Sequence, residues 1–120
     1  MAHYKLAFLG FGNVGRALAN LMMRKEKELK EKHDITFSVT GIATGRHGSL
    51  INPNGVDPFG ALELLRSSRS LSLLTRVPVN SSLDFIRKCE ADVLFENTSV
   101  DHETGQPAID HIKTALGLGM

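Results

Sequence analysis

The chain has 120 residues, 42% of them apolar and 22% charged. At about 100–200 residues per domain this is one domain, residues 1–120, and the composition is globular, which excludes a disordered tail or a collagen-like repeat. Lys and Arg number 14 against 13 Asp and Glu, so the net charge is +1. That excludes a broad electrostatic surface for nucleic acid or an anionic membrane. No run approaches the roughly 18 apolar residues of a membrane span. The opening MAHYKLAFLG lacks the charged start, long apolar stretch and cleavage site of a signal peptide. Cys89 is the one cysteine, so it has no internal disulfide partner and builds no metal cluster. The first reading is a soluble, cytoplasmic domain.

Tyr4 to Leu9 is short, mostly apolar and followed by glycines, which predicts a buried strand. Asn13 to Lys32 has helical period, with Val14, Leu18, Leu21 and Met22 on one stripe. Its charged second half places Glu26 with Lys30 and Glu28 with Lys32 for i,i+4 pairs and reads as a solvated helix end. Ile35 to Thr44 is rich in β-branched residues and predicts the second strand. The turn-rich stretch from Gly45 to Pro58 predicts a long loop, a length often tied to function. Asp57 as N-cap and Pro58 at the first helical position open a short helix whose apolar side is Leu62, Leu64 and Leu65. Between Ser67 and Val79 a short strand is possible, but Pro78 argues against a central one. Ser81 to Asp84 fits a capping box for a helix reaching about Cys89, with Phe85, Ile86 and Cys89 facing inward. Asp92 to Glu96 predicts another buried strand, and the loop from Asn97 to Gln106 follows it. Pro107 then starts a last helix with Ile109, Ile112 and Leu116 spaced for one face and Gly117 and Gly119 to end it. His102 and His111 read as surface histidines, and Cys89 as a small core residue. Alternation of strand and helix predicts an α/β fold, doubly wound around a mainly parallel sheet of the Rossmann type.

The sequence Gly10-Phe11-Gly12-Asn13-Val14-Gly15 is G-x-G-x-x-G, directly after a predicted strand and opening a helix. Gly10 suits the tight turn, Gly12 leaves room for a diphosphate against the backbone, and Gly15 lets helix and strand pack closely. Free N–H groups at the helix start then hold the diphosphate of a dinucleotide. An NAD site usually carries an acid at the end of the second strand, for the ribose 2′-OH. Here that strand ends Ile42-Ala43-Thr44-Gly45-Arg46, without an acid. Arg46 can pair with a 2′-phosphate, which favours NADP over NAD. His47 beside it is a lesser candidate for the adenine or phosphate. At the carboxyl end of the third predicted central strand, Asn97, Thr98 and Ser99 are placed to line the nicotinamide half. No nucleophile–base pair and no metal-ligand spacing stands out, so no catalytic or metal residue is assigned.

GFGNVGRALANL, GIATGRHG and FENTSVDHETGQPAIDHIKTALGLGM together resemble the N-terminal cofactor domain of homoserine dehydrogenase. The resemblance implies reversible reduction of aspartate 4-semialdehyde to homoserine with NADPH or NADH, in the synthesis of threonine, isoleucine and methionine. It puts Phe11 to Val14 on the diphosphate, Ala43 and Arg46 at the adenosine end, and Thr98 and Ser99, with Asn97, near the nicotinamide ribose. In that family the helix matching Pro107–Leu118 leads to a further strand with a lysine motif, then to a domain that binds substrate and dimerises. The expectation is therefore a Rossmann domain incomplete at its C-terminus, inactive alone, with an unpaired sheet edge and a tendency to homo-oligomerise. The alternatives are a stand-alone NADP-binding or sensing module, the cofactor domain of another amino-acid dehydrogenase, or a Rossmann-like domain that binds nothing.

Overall fold

The computed structural model describes residues 2–120. Strand β1 is Ala2–Leu9, helix α1 Asn13–His33, β2 Ile35–Ala43, β3 Ser49–Ile51, α2 Pro58–Arg66, α3 Ser82–Lys88, β4 Val93–Glu96 and α4 Ala108–Gly117. The sheet order is β3-β2-β1-β4. β1 runs parallel to β2 on one side and to β4 on the other, and β3 is antiparallel to β2. The chain leaves β1 toward one side and returns through β4 on the other, so the order reverses between β1 and β4. Open sheets bind ligands in the crevice at such a point, outside the carboxyl ends of the strands.

Two apolar layers cover the sheet. On one face Phe8, Val39 and Ile42 meet Ala19 of α1 and Ala61 and Leu65 of α2. On the other, Ala7, Leu9 and Ala43 meet Phe85 and Ile86 of α3, Cys89, and Ala115 of α4. Alternation along β1 explains why Phe8 and Leu9 serve opposite layers. Val39 and Ile42 share a face although three residues apart. The cause is a bulge: Leu6 pairs with Val39 and Ala7 with Gly41, which leaves Thr40 as the extra residue. Beyond it Gly41 faces α3, where a β-carbon would lie 2.8 Å from the end of the Phe85 ring.

The local signals explain most elements. The Asp57 carboxylate accepts from the Phe59 N–H at 3.0 Å, with Pro58 in the first turn of α2. The Ser81 hydroxyl accepts from the Asp84 N–H at 3.1 Å, while the Asp84 carboxylate takes the Asn80 N–H at 2.9 Å. That hydrogen bond, together with Lys88 one turn on, holds the Asp84 carboxyl below its usual range. Phe85, Ile86 and Cys89 are fully buried as expected, and burial pushes the Cys89 thiol up.

Several expectations need correction. β1 begins at Ala2 rather than Tyr4. The stretch from Gly45 to Pro58 is not all loop, because Ser49–Ile51 folds back as β3 onto Gly41–Ala43. No strand forms within Ser67–Val79, which holds a 3-10 turn at Leu71–Leu73. On α1 the inward stripe is Gly15, Leu18, Ala19 and Met22, while Val14 and Leu21 are exposed. Among the described residues, Glu28 takes both Lys25 and Lys32, and Lys27 pairs with Glu31 instead of Glu26 with Lys30. On α4 Ile109, Ile112 and Leu116 are exposed, and the buried residues are His111 and Ala115. His111 is therefore not a surface histidine, whereas His102 is exposed as expected. Among the described residues no helix is long and apolar enough to cross a membrane.

The Gly41–Phe85 contact is directly testable. Gly41→Ala overfills a packed layer and is expected to cost about 1–3 kcal/mol. Urea unfolding at matched m-value measures this, and an unchanged midpoint contradicts the packing described.

Candidate dinucleotide site

The turn from β1 into α1 is built on missing side chains. Gly10 has φ +90°, and a β-carbon there would lie 2.7 Å from the backbone of Asn97. One at Gly15 would lie 2.5 Å from the Gly10 carbonyl oxygen. Around Gly12 nothing lies within 4 Å of that position. So two of the three glycines are filled by the protein's own backbone, and the middle one faces open space. The Gly10 N–H donates to the Ala43 carbonyl at 2.9 Å, and the Asn97 N–H to the Leu9 carbonyl at 2.7 Å. These bonds tie the ends of β1, β2 and β4 into one rim.

Above that rim stands an uncapped helix. Gly12 is the N-cap of α1, with no side-chain cap and no acidic residue in the first turn. The helix has 21 residues, so its first-turn N–H groups carry the full partial positive charge of a long helix. By contrast α2 and α3 both receive side-chain caps. The Arg16 Nε–H donates to the Phe11 carbonyl at 3.0 Å and fixes the turn. No side chain lies within 4 Å of the Gly12 β-carbon position, so an anion can come close to these backbone donors. An oxygen-rich anion is the ligand class that suits them.

The sequence-predicted residues fall into three groups. Gly10, Gly12, Gly15, Asn97 and Thr98 meet where the strand order reverses, with Asn13 and Val14 exposed at the helix start. Phe11 is 3% exposed and packs edge-on to Phe8 at 5.9 Å. Any ligand contact of Phe11 therefore runs through its backbone. Ala43 and Arg46 lie on the β2 side. Ala43 is buried, and Arg46 is exposed on the loop to β3 with no side-chain partner among the described residues. Ser99 is exposed beyond Thr98.

Two features of the Asn97 loop stand out, an unpartnered amide and a buried support. The Asn97 side-chain Nδ2 is buried without a hydrogen-bond partner, although buried amides are normally satisfied. Next to it, Glu96 accepts the Thr98 N–H at 2.7 Å and also bonds the Thr98 hydroxyl. The other Glu96 oxygen bonds His111 Nδ1, and His111 Nε2 lies 2.8 Å from the Ser82 hydroxyl. Sequence reasoning found no such hydroxyl–imidazole–carboxylate chain. Its members come from three elements, and no local spacing joins them.

On the β2 side of the rim a cavity of about 490 Å3 opens at the ends of β1 and β2. Leu9 and Ala43 form its apolar floor, and Thr44, Ser49, Ser72 and Ser82 supply hydroxyls around it. The volume is within the usual range for small-molecule sites, about 300–1,000 Å3. The glycine turn borders this cavity but does not line it. Among the described residues no group of His, Cys, Asp and Glu is arranged to hold a metal ion.

No family model matches the chain. It is 32% identical over 120 residues to an NAD(+)-dependent homoserine dehydrogenase of Pseudomonas canavaninivorans, covering 99% of this chain and 34% of the relative. It is 32% identical over 108 residues to a homoserine dehydrogenase of Methanocaldococcus jannaschii, covering 89% and 32%. The fold superposes on a hyperthermophilic archaeal homoserine dehydrogenase solved with NADPH at a TM-score of 0.72 and 27% identity, covering 98% of this chain and 34% of that one. The chain thus spans about a third of the length of the relatives it matches. The expected resemblance to homoserine dehydrogenases is borne out across nearly all of this chain, and the fold is of the Rossmann type.

The glycine geometry separates two substitutions. Gly12→Ala meets no neighbour and loses only the glycine's preference at a helix N-cap, an expected cost of no more than about 1 kcal/mol. Gly15→Ala drives a β-carbon into the Gly10 carbonyl and is expected to cost about 1–3 kcal/mol. Thermal unfolding of both variants measures this, and equal losses contradict the division of roles.

Proposed function

We propose that this chain is the NAD(P)-binding portion of a homoserine dehydrogenase, with NADP preferred over NAD. The observation that carries the reading is the open space at Gly12 beneath an uncapped helix start, between two glycines closed by backbone. In this reading Gly10, Phe11, Gly12, Asn13, Val14 and Gly15 hold the diphosphate, mainly through backbone N–H groups. Ala43 and Arg46 serve the adenosine end. Asn97, Thr98 and Ser99 serve the nicotinamide end, where the buried and unpartnered Asn97 Nδ2 meets a carboxamide or ribose oxygen once its side chain turns outward. When bound, the nicotinamide gives or takes a hydride. The chain's own residues orient it and keep its diphosphate desolvated.

The activity proposed for the whole protein is the reversible reduction of aspartate 4-semialdehyde to homoserine, in the synthesis of threonine, isoleucine and methionine. Hydride transfer needs the carbonyl carbon held about 3–3.5 Å from the nicotinamide. A proton donor must also serve the developing alkoxide. These tasks are assigned to the part of the relatives that this chain does not span, and the 1–120 segment is read as one cofactor domain. A cytoplasmic homo-oligomer fits the same reading. Its support is the exposed apolar face of α4, Ile112 and Leu116, beside the free edge of β4. Such edges and patches favour association.

Arg46 gives the sharpest test of cofactor choice. An exposed guanidinium on a 2′-phosphate is expected to make NADPH bind roughly tenfold more tightly than NADH. Fluorescence titration of the chain and of Arg46→Ala measures this. Loss of the preference in the variant is expected. Equal affinities in the parent, or an unchanged preference without the arginine, contradict the assignment.

A further inference from the structure

The hydrogen-bonded chain behind the crevice ends on a residue that faces the ligand cavity. His111 is 2% exposed, so both ring nitrogens depend on protein partners. Nδ1 bonds a Glu96 oxygen and Nε2 the Ser82 hydroxyl at 2.8 Å. Ser82 itself is exposed and lines the 490 Å3 cavity. A buried histidine satisfied only for packing needs no partner at the surface. Here the last link sits on the wall of a cavity of ligand size.

The direction of each bond follows from chemistry. An ionised carboxylate only accepts hydrogen bonds. Glu96 Oε1 is engaged by the Thr98 N–H and hydroxyl, and Oε2 faces the ring. With the imidazole neutral, its one hydrogen is on Nδ1 and Nε2 carries a lone pair. Ser82 must donate its single hydrogen to Nε2. What it then presents to the cavity is lone pairs.

We propose that the Ser82 hydroxyl is a binding group of this cavity, fixed as a hydrogen-bond acceptor by the Glu96–His111 pair, for a ribose hydroxyl or the adenine amine of the adenosine half. Ser82 is the binding residue, and His111 and Glu96 are positioning residues. The same pair braces the Thr98 loop, so one buried imidazole sets both flanks of the crevice. This assignment rests on the dinucleotide reading above.

Calorimetric titration with two half-ligands tests it: adenosine 2′,5′-bisphosphate and reduced nicotinamide mononucleotide. Ser82→Ala is expected to weaken the adenosine probe roughly five- to tenfold and to leave the nicotinamide probe unchanged. Ser82→Thr, which keeps the hydroxyl, retains the parent's affinity. Glu96→Gln keeps an acceptor for the Thr98 N–H but turns an NH2 toward His111 Nδ1. That moves the ring hydrogen to Nε2 and makes Ser82 a donor to the cavity, so the adenosine probe weakens as in Ser82→Ala. Nitrogen NMR of the His111 ring reads the switch directly: hydrogen on Nδ1 in the parent, on Nε2 in Glu96→Gln. A parent ring protonated on Nε2, or adenosine binding unchanged in Ser82→Ala, overturns the proposal while the dinucleotide reading stands. Failure of the parent to bind either probe overturns both. If Glu96→Gln does not fold, Ser82→Ala and the parent's ring spectrum decide the matter.

Discussion

Backbone meets backbone at the turn after β1, and everything else is arranged around that contact. Gly10 lies against the main chain of Asn97, and Gly15 lies against the Gly10 carbonyl. No side chain fits at either place. The first contact brings the ends of β1 and β4 together across the reversal of strand order, and the second seats α1 directly over β1. Together they leave Gly12 at the mouth of a crevice with the unshared N–H groups of a 21-residue helix behind it. The phosphate site proposed at Gly12 needs no cluster of basic residues, because the helix start supplies the donors and the partial charge. A chain of net charge +1 can carry such a site without any broad electropositive surface.

The flanks of the crevice are set by longer-range contacts. On one side Thr40 is left out of register, so that Gly41 and Ala43 turn toward α3 and the Phe85 ring packs against the bare backbone of Gly41. On the other, Glu96 at the end of β4 is held between Thr98 of its own loop and His111 of α4. A carboxylate there would be costly without partners, and it has them on both oxygens. The loop that carries Asn97 is fixed in this way from below, while its own buried amide nitrogen has no protein partner.

Much of this was legible in the sequence because it is local. The glycine spacing, the Asp57-Pro58 start of α2 and the Ser81–Asp84 box each encode their structure within a few residues, and the three apolar runs of the central strands are unambiguous. Three features were not legible, for physical reasons. β3 is three residues long within a turn-rich stretch, and its pairing with Gly41–Ala43 decides it rather than any propensity. On α1 Leu18 and Met22 of the expected stripe face inward beside Gly15 and Ala19, while Val14 and Leu21 do not. On α4 the larger apolar residues Ile109, Ile112 and Leu116 are exposed, and the inner face uses His111 and Ala115. His111 is buried because Glu96 and Ser82 satisfy it from 15 and 29 residues away, a separation at which no sequence pattern operates. In the site, the glycines, Asn97 and Thr98 were readable from position relative to the strand ends. The Ser82–His111–Glu96 chain was not.

The central claim is that a dinucleotide diphosphate lies against Gly12 with its two halves on either side of the β1–β4 reversal. Backbone and side-chain amide NMR during titration of the chain with NADPH tests this most directly. The account predicts that the amides of Gly12, Asn13 and Val14 and the Asn97 side-chain NH2 shift together and saturate at one ratio of ligand to protein, with Thr44 and Arg46 following. Saturating shifts confined to other surfaces, or none at the Gly12–Val14 amides, would contradict it.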